Sequence, residues 1–350
     1  MRDYSFKLEL WSRFKKNKLA LGSLIYIFLS FIIAVFAYVI VPDNTPMANQ
    51  MNIELSTLVP GSEISFLEIP AENNFQSSLF KQIFFGKSLR VERIPIMSYV
   101  KSEEGIIYSI FGSNLEKVYD GEYKITSRTF WLGTDRYGRD MLSRVLCGVR
   151  ISLSVGLIAV LISLLIGIAL GSIAGFYRGK IDNIIMWVIN VVWAIPTLLM
   201  VIAITLALGK GFWQVFVAVG LTMWVEVARV VRGQVISIRE YEYVEAGRAL
   251  GFRSLRIILK HILPNSVGPI IVISAANFAA AILIESGLSF LGIGAQPPMP
   301  SWGGMIKDHY AYIVMDKAYL ALTPAVAIMS LVLSFMLLGN GIRDAFDIKN

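Results

Sequence analysis

The side chains able to do chemistry are few and far apart. Glu226 and Glu285 stand in or beside long apolar runs, where an unpaired carboxylate is costly and marks a functional position by default. For Glu226 a structural reading competes, because Arg229 and Arg232 follow about one helical turn later and would neutralise it. His261 and His309 have no ligand spacing around them, which argues against a metal site. Cys147 is the only cysteine, so an intrachain disulfide is excluded. Gly86-Lys87, Gly179-Lys180 and Gly209-Lys210 all lack the glycine five positions earlier that a phosphate-cradling loop needs. The chain is therefore not expected to hydrolyse ATP or to bind a cofactor itself. No Ser/His pair, metal-spaced histidines or paired intramembrane aspartates support a membrane enzyme.

The elements that position these groups follow from composition. A 350-residue chain that is 55% hydrophobic and 16% charged, with a mean hydropathy of +0.63, lies outside the range of soluble domains. Its apolar residues gather in runs of about 20, and a helix of that length spans a hydrocarbon core of about 30 Å. Six such runs are read as transmembrane helices: 19–41, 151–176, 184–208, 212–231, 267–291 and 319–339. The first is too long for a signal-peptide core, and Ala37-Tyr38-Val39 is a poor cleavage site, so it reads as an anchor. Glycines 167, 171 and 175 line one face of the second run and predict close packing within the chain. Pro196 predicts a kink in the third.

The net charge of +7 is not the footprint of a nucleic-acid binder, because the basic residues cluster beside apolar runs. They report topology instead. Residues 1–18 are a basic flank, and Arg178, Lys180, Arg232, Arg239, Arg248, Arg253, Arg256, Lys260 and Arg343 fall on the same side, against Lys210, Lys307 and Lys317 in the short opposite loops. Both termini are thus expected in the cytoplasm. Arg136, Arg139, Arg144 and Arg150 fall on the outer side, at the end of a long translocated segment that counts little in the rule. Residues 42–130 turn polar with short β-like stretches such as Gly105–Ile110, and read as a small soluble domain or elaborated loop outside the membrane. Residues 131–350 hold the remaining five spans, and Arg136, Arg139, Asp140 and Arg144 are expected on an amphipathic helix at the outer surface.

One inside loop, about 232–266, is too charged to cross a bilayer yet has helical periodicity. Two short helices are expected. Val244, Ala246, Ala249 and Leu250 share a face of the first, Gly251 supplies a left-handed stop, Ser254 caps the second and Pro264 ends it. Leu255, Ile258, Leu259 and Ile262 then recur at helical spacing. On pattern alone this is equally an amphipathic hairpin lying on lipid headgroups.

Glu245-Ala246, Gly251 and Leu263-Pro264 resemble the signature loop by which bacterial ABC importer permeases dock on their ATPases, with Gly247 in place of the usual second alanine. Leu132-Gly-Thr-Asp-Arg-Tyr-Gly-Arg-Asp-Met-Leu-Ser-Arg144, Gly148-Val-Arg-Ile-Ser-Leu-Ser-Val-Gly156, Glu285-Ser-Gly-Leu-Ser-Phe-Leu-Gly292 and Gln296-Pro-Pro-Met-Pro-Ser-Trp-Gly303 resemble the dipeptide, oligopeptide and nickel permeases, C-type subunit. The resemblance implies an all-α, six-span permease of the type I importer fold with a soluble insertion between its first two helices. It implies a bacterial inner-membrane location, a homologous second permease, two cytosolic ATPases that hold ATP and Mg, and an extracytoplasmic solute-binding protein. It assigns ATPase coupling to Glu245, Ala246, Gly247, Gly251, Leu255, Ile258, Leu263 and Pro264. It also offers Asp135, Arg136, Arg139, Asp140 and Arg144 as an outer gate or docking rim, and Glu285 as a brace for the last outer loop or a contact for a peptide amine. The rival reading is an ion-coupled secondary transporter working through the intramembrane carboxylates; it predicts repeated halves, which the sequence does not show.

Overall fold

The computed structural model describes residues 2–70, 78–87, 91–102, 105–113, 115–209 and 211–346, the side chains of residues 2–8 and Leu79 apart. Lys210, counted above in a short loop, lies outside them. In chain order the elements are α1 (Arg2–Lys16), α2 (Lys18–Ile40), β1 (Ser62–Pro70), α3 (Leu79–Phe85), β2 (Val91–Ser102), β3 (Gly105–Ile110), β4 (Glu116–Tyr119), β5 (Lys124–Phe130), α4 (Met141–Tyr177), α5 (Gly179–Trp193), α6 (Thr197–Leu208), α7 (Phe212–Ile238), α8 (Glu242–Ala249), α9 (Ser254–Ile257), α10 (Val267–Phe290), α11 (Trp302–His309) and α12 (Tyr319–Phe346). The chain is mostly helical rather than all-α, because the polar segment between α2 and α4 folds as a five-stranded sheet.

Five helical stretches are long and apolar enough to cross a membrane: Lys18–Ile40, Met141–Tyr177, Phe212–Ile238, Ser254–Phe290 and Tyr319–Phe346. A sixth exists only if the pair Gly179–Trp193 and Thr197–Leu208, bent by 89°, counts as one span. The kink expected at Pro196 is thus a full break. Proline has no N–H to donate and forces the preceding residue out of the helical region, so Ala194–Pro196 leave the helix together.

The chain divides into two compact units, the first comprising residues 1–29, 152–295 and 328–350 and the second residues 30–151 and 296–327. In the first, the glycine stripe of α4 lies on α7. A Cβ at Gly167 would stand 2.5 Å from Val227 Cβ, and one at Gly171 2.5 Å from the Ala228 carbonyl. The glycines are what lets the two backbones approach, as the spacing predicts. Asp182 of α5 ties to α7 through a two-pronged pair with Arg232, both contacts at 2.6 Å. Phe278 of α10 stacks on Phe335 of α12 at 4.0 Å.

In the second unit the sheet is antiparallel with strand order β4-β3-β2-β1-β5. The inner strand β1, between β2 and β5, is apolar on both faces: Ile64 and Phe66 pack with Leu55 and Phe130 on one, and Leu67 packs with Ile96, Ile106 and Tyr108 on the other. That two-sided burial specifies its register, since a slip of one residue would exchange the two sets. Pro95 lies inside β2, and the pairing with β3 shifts between Ile96 and Ser98, the irregularity a strand proline demands.

Candidate functional site

The loop between α7 and α10 forms the expected two-helix elbow. Glu242 and Glu245 lie in the first turn of α8, where the helix dipole favours negative charge, and Arg248 lies in the last. Gly251 has φ +74°, the left-handed conformation that stops the helix. The Gly251 N–H donates to the Arg248 carbonyl at 2.9 Å and the Phe252 N–H to the Gly247 carbonyl at 3.1 Å, closing the end of α8. Ser254 does not cap α9: Arg253 occupies the cap position, with no side-chain bond. Pro264 does not end the second helix either. The chain passes through a π turn at Ile258–Ile262 and a 3-10 turn at Leu263–Ser266 straight into α10. Widening the turn before the proline accommodates its ring against the preceding carbonyl without breaking the rod.

The elbow has one face for its own chain and one for something else. Val244, Ile257, Ile258 and Ile262 are buried with Phe176 of α4 and Val227, Val231, Val235 and Ile238 of α7. Gly247 is buried with them; Glu245, Ala246, Gly251 and Pro264 are exposed, and Leu263 is half-buried. Leu255 and Leu259 are 66% and 54% exposed, so the apolar set read as one stripe is divided between the two faces. Leu250, expected on the packing face with Ala246 and Ala249, is instead 73% exposed. The buried stripe of α8 is only Val244 and Gly247, one turn apart, because an eight-residue helix offers a single such contact. Arg239 and Arg248 flank the Phe176 ring at 5.8 and 5.2 Å, and Arg256 lies 4.2 Å over Phe252. Asn265 joins the two arms, donating to the Tyr243 hydroxyl at 3.2 Å and to the His261 carbonyl at 2.6 Å.

The segment Asp135–Arg144 is not an exposed amphipathic helix. It is a tight turn with its charges inward, and α4 begins only at Met141. Gly138, at φ +69° beside the Asn52 carbonyl, leaves no room for a side chain and turns the backbone. The Asp135 carboxylate accepts from the Tyr137 and Arg139 N–H groups at 2.8 and 3.0 Å and from Arg139 Nε at 2.6 Å, with Arg144 Nε at 3.7 Å. Asp135, Arg139, Asp140 and Arg144 are buried, and Arg136 is half-buried against Asp308 at 3.1 Å. Asp140 caps α4 by accepting from the Ser143 N–H at 2.9 Å, and Arg128 of β5 approaches it at 3.7 Å. Burial pushes the Asp140 carboxyl up and the Arg128 guanidinium down from their ordinary values. An aspartate three residues before a serine at the head of an apolar run is a start signal that places the helix at 141. His309, read in the sequence only as lacking ligand spacing, joins this turn: its Nε2 accepts from the Arg136 N–H at 3.3 Å, and its Nδ1 stands 2.7 Å from the Met305 carbonyl.

The two carboxylates differ. Glu285 is buried; its Oε1 accepts from Ser289 Oγ at 2.7 Å, and that oxygen accepts from the Ala295 N–H at 3.0 Å. It braces the end of α10 and the turn after it. Glu226 does not pair with either arginine. Arg232 is held by Asp182, and Arg229 bonds Asn190 Oδ1 at 2.7 Å and lies 3.7 Å over the Trp193 ring. Glu226 lies at mid-helix, about 21 Å from the start of α7 and about 18 Å from its end. It lines a cavity of about 170 Å³ together with Trp193, Ile195, Met200, Met223 and Ile284.

A helical chain with this many apolar spans and a charged two-helix elbow is built as the membrane subunit of a transporter. The sequence comparisons specify which. The family model described as "Binding-protein-dependent transport system inner membrane component" matches residues 167–349, and that of the "N-terminal TM domain of oligopeptide transport permease C" matches residues 5–56. The dipeptide transport system permease protein DppC of Alkalihalophilus pseudofirmus is 37% identical over 287 residues, 80% of this chain and 93% of that one. The glutathione transport system permease protein GsiD of Pectobacterium atrosepticum is 42% identical over 231 residues, 66% of this chain and 76% of that one. The fold is similar to that of the MetNI methionine ABC transporter in inward-facing conformations, with TM-score 0.50 and 18% identity over 59% of this chain and 98% of that chain. The chain therefore belongs to the binding-protein-dependent inner-membrane transport components, as a C-type permease subunit of the dipeptide and oligopeptide ABC importers. Nothing in these relatives supports the ion-coupled alternative.

Proposed function

We propose that this chain forms, with a homologous second permease, the path by which short peptides enter the cell. Two cytosolic ATPases supply the energy, with ATP and Mg on those subunits, and an extracytoplasmic binding protein delivers the solute. Both termini face the cytoplasm, and the five-stranded sheet stands outside the membrane. The observation that carries this reading is the divided elbow: Ile257, Ile258 and Ile262 fasten it to α7, while Leu250, Leu255 and Leu259 stand exposed beside Glu245. Exposed leucines ringed by charges mark a docking surface, and a rigid elbow on the end of α7 transmits a push into the spans. On the outer side, the buried Asp135–Arg139–Arg144 cluster holds the turn that presents Arg136 and Asp308 to the binding protein.

Substitution of Gly251 by valine tests the coupling. A side chain at φ +74° costs about 1–2 kcal/mol of local strain, and the angle between α8 and α9 shifts. The variant is expected at wild-type abundance in the membrane, with ATP-driven peptide uptake reduced at least tenfold. Wild-type uptake by that variant would contradict the coupling role.

A further inference from the structure

The break in the third span and the carboxylate of Glu226 meet at one cavity. Its wall is made by Val192 and Trp193 at the end of α5, Ile195 in the break, Met200 of α6, Met223 and Glu226 of α7, and Ile284 of α10. Among the described residues Glu226 is its only ionisable lining residue, and this exposed carboxylate has there neither an ion pair nor a hydrogen bond. A carboxylate left unpaired halfway along a spanning helix is not explained by packing, because its two neighbouring arginines are occupied by Asp182, Asn190 and Trp193.

The rest of the cavity favours the same sign of ligand. α5 stops at Trp193, and the C-terminal end of its dipole presents negative potential there, with the Asn190 and Val192 carbonyls already accepting from the Ala194 and Ile195 N–H groups. Arg229 lies at that end of α5, donating to Asn190 Oδ1 and lying over the Trp193 ring, so it is not the partner of Glu226. A second cation on Glu226 would be held by a full charge. At about 170 Å³ the cavity is smaller than a site for a whole drug-sized ligand and suits a head group. Discontinuous spans with ligand sites at the break recur in transporters for the same electrostatic reason.

We propose that Glu226 is an intramembrane station for the ammonium group of the solute in transit, so that the path selects for a free amine. This rests on the peptide-importer reading and adds to it the chemistry of recognition. The test is uptake of radiolabelled di- to penta-alanine into proteoliposomes carrying the complete assembly, comparing wild type, Glu226→Gln and Glu226→Asp. Glu226→Gln keeps the shape and removes the charge. It is expected to lower uptake at least tenfold with the second permease and ATPases present at wild-type ratio, while Glu226→Asp retains a measurable fraction. Normal uptake by Glu226→Gln would overturn the proposal. Loss of the second permease from the Glu226→Gln assembly would also overturn it, by assigning the carboxylate to a contact between subunits. If the wild-type assembly takes up none of the alanine peptides, the peptide-importer reading itself fails, and this station falls with it.

Discussion

His309 makes two bonds of opposite kind. The Arg136 N–H can only donate, so Nε2 must accept and Nδ1 must carry the proton that goes to the Met305 carbonyl. Burial lowers the imidazole pKa, while the bond to the Met305 carbonyl, Asp135 and Asp308 oppose that shift and Arg136 adds to it. The folded state therefore binds fewer protons than the unfolded chain, whose histidines titrate near pH 6.5. Stability contributed by His309 is fully present above that pH and is lost as pH falls from there through the lower folded-state value. Thermal unfolding of the purified assembly from pH 8 to pH 5 should show a steeper acid loss for wild type than for His309→Gln. Parallel curves would contradict the assignment. By contrast, Asp135 matters through its neighbours: removing it would strand the buried Arg139 and Arg144, a cost of about 3–5 kcal/mol for a broken buried pair. None of this was legible in the sequence, where a run of Asp and Arg looks like a solvated face. The inward turn depends on the left-handed Gly138 and on partners such as Asn49, which bonds Arg139 at 3.1 Å from 90 positions away.

At the scale of elements, periodicity and composition carried most of the information. The spans at α2, α7, α10 and α12 follow from apolar runs, and the glycine spacing in α4 foretold its close contact with α7. That contact has a steep test. A Gly171→Leu side chain would have to displace the Ala228 backbone, not just a flexible neighbour, and overpacking of this kind costs about 1–3 kcal/mol or more. Membrane abundance of the assembled complex should fall several-fold, whereas Gly233→Leu, with no atom within 4 Å of the added Cβ, should not. Equal abundance of both variants would argue against the α4–α7 packing. Where periodicity misled, a local rule had been read without its surroundings. Pro264 normally ends a helix, but here a π turn absorbs it and the rod continues for another 24 residues of α10. Pro196 does the reverse and breaks its span outright, leaving the cavity beside Glu226.

For the whole molecule, the membrane class was plain from composition, and the permease family from motifs between residues 132 and 303. The sheet was visible only as β-like stretches, because its strands gain their stability from pairing rather than from local propensity. Which leucines of the elbow face outward was not readable either, since Leu255 and Ile258 obey the same helical period and only packing against α7 tells them apart. The account centres on that outward face. Its most direct test is affinity purification of the assembly from membranes after Leu255→Asp together with Leu259→Asp, two changes on side chains with no role in the fold of the elbow. The second permease should be retained while the ATPases and ATP-driven peptide uptake are lost. Recovery of the ATPases at wild-type ratio, with normal uptake, would contradict the claim that this surface is where the energy enters.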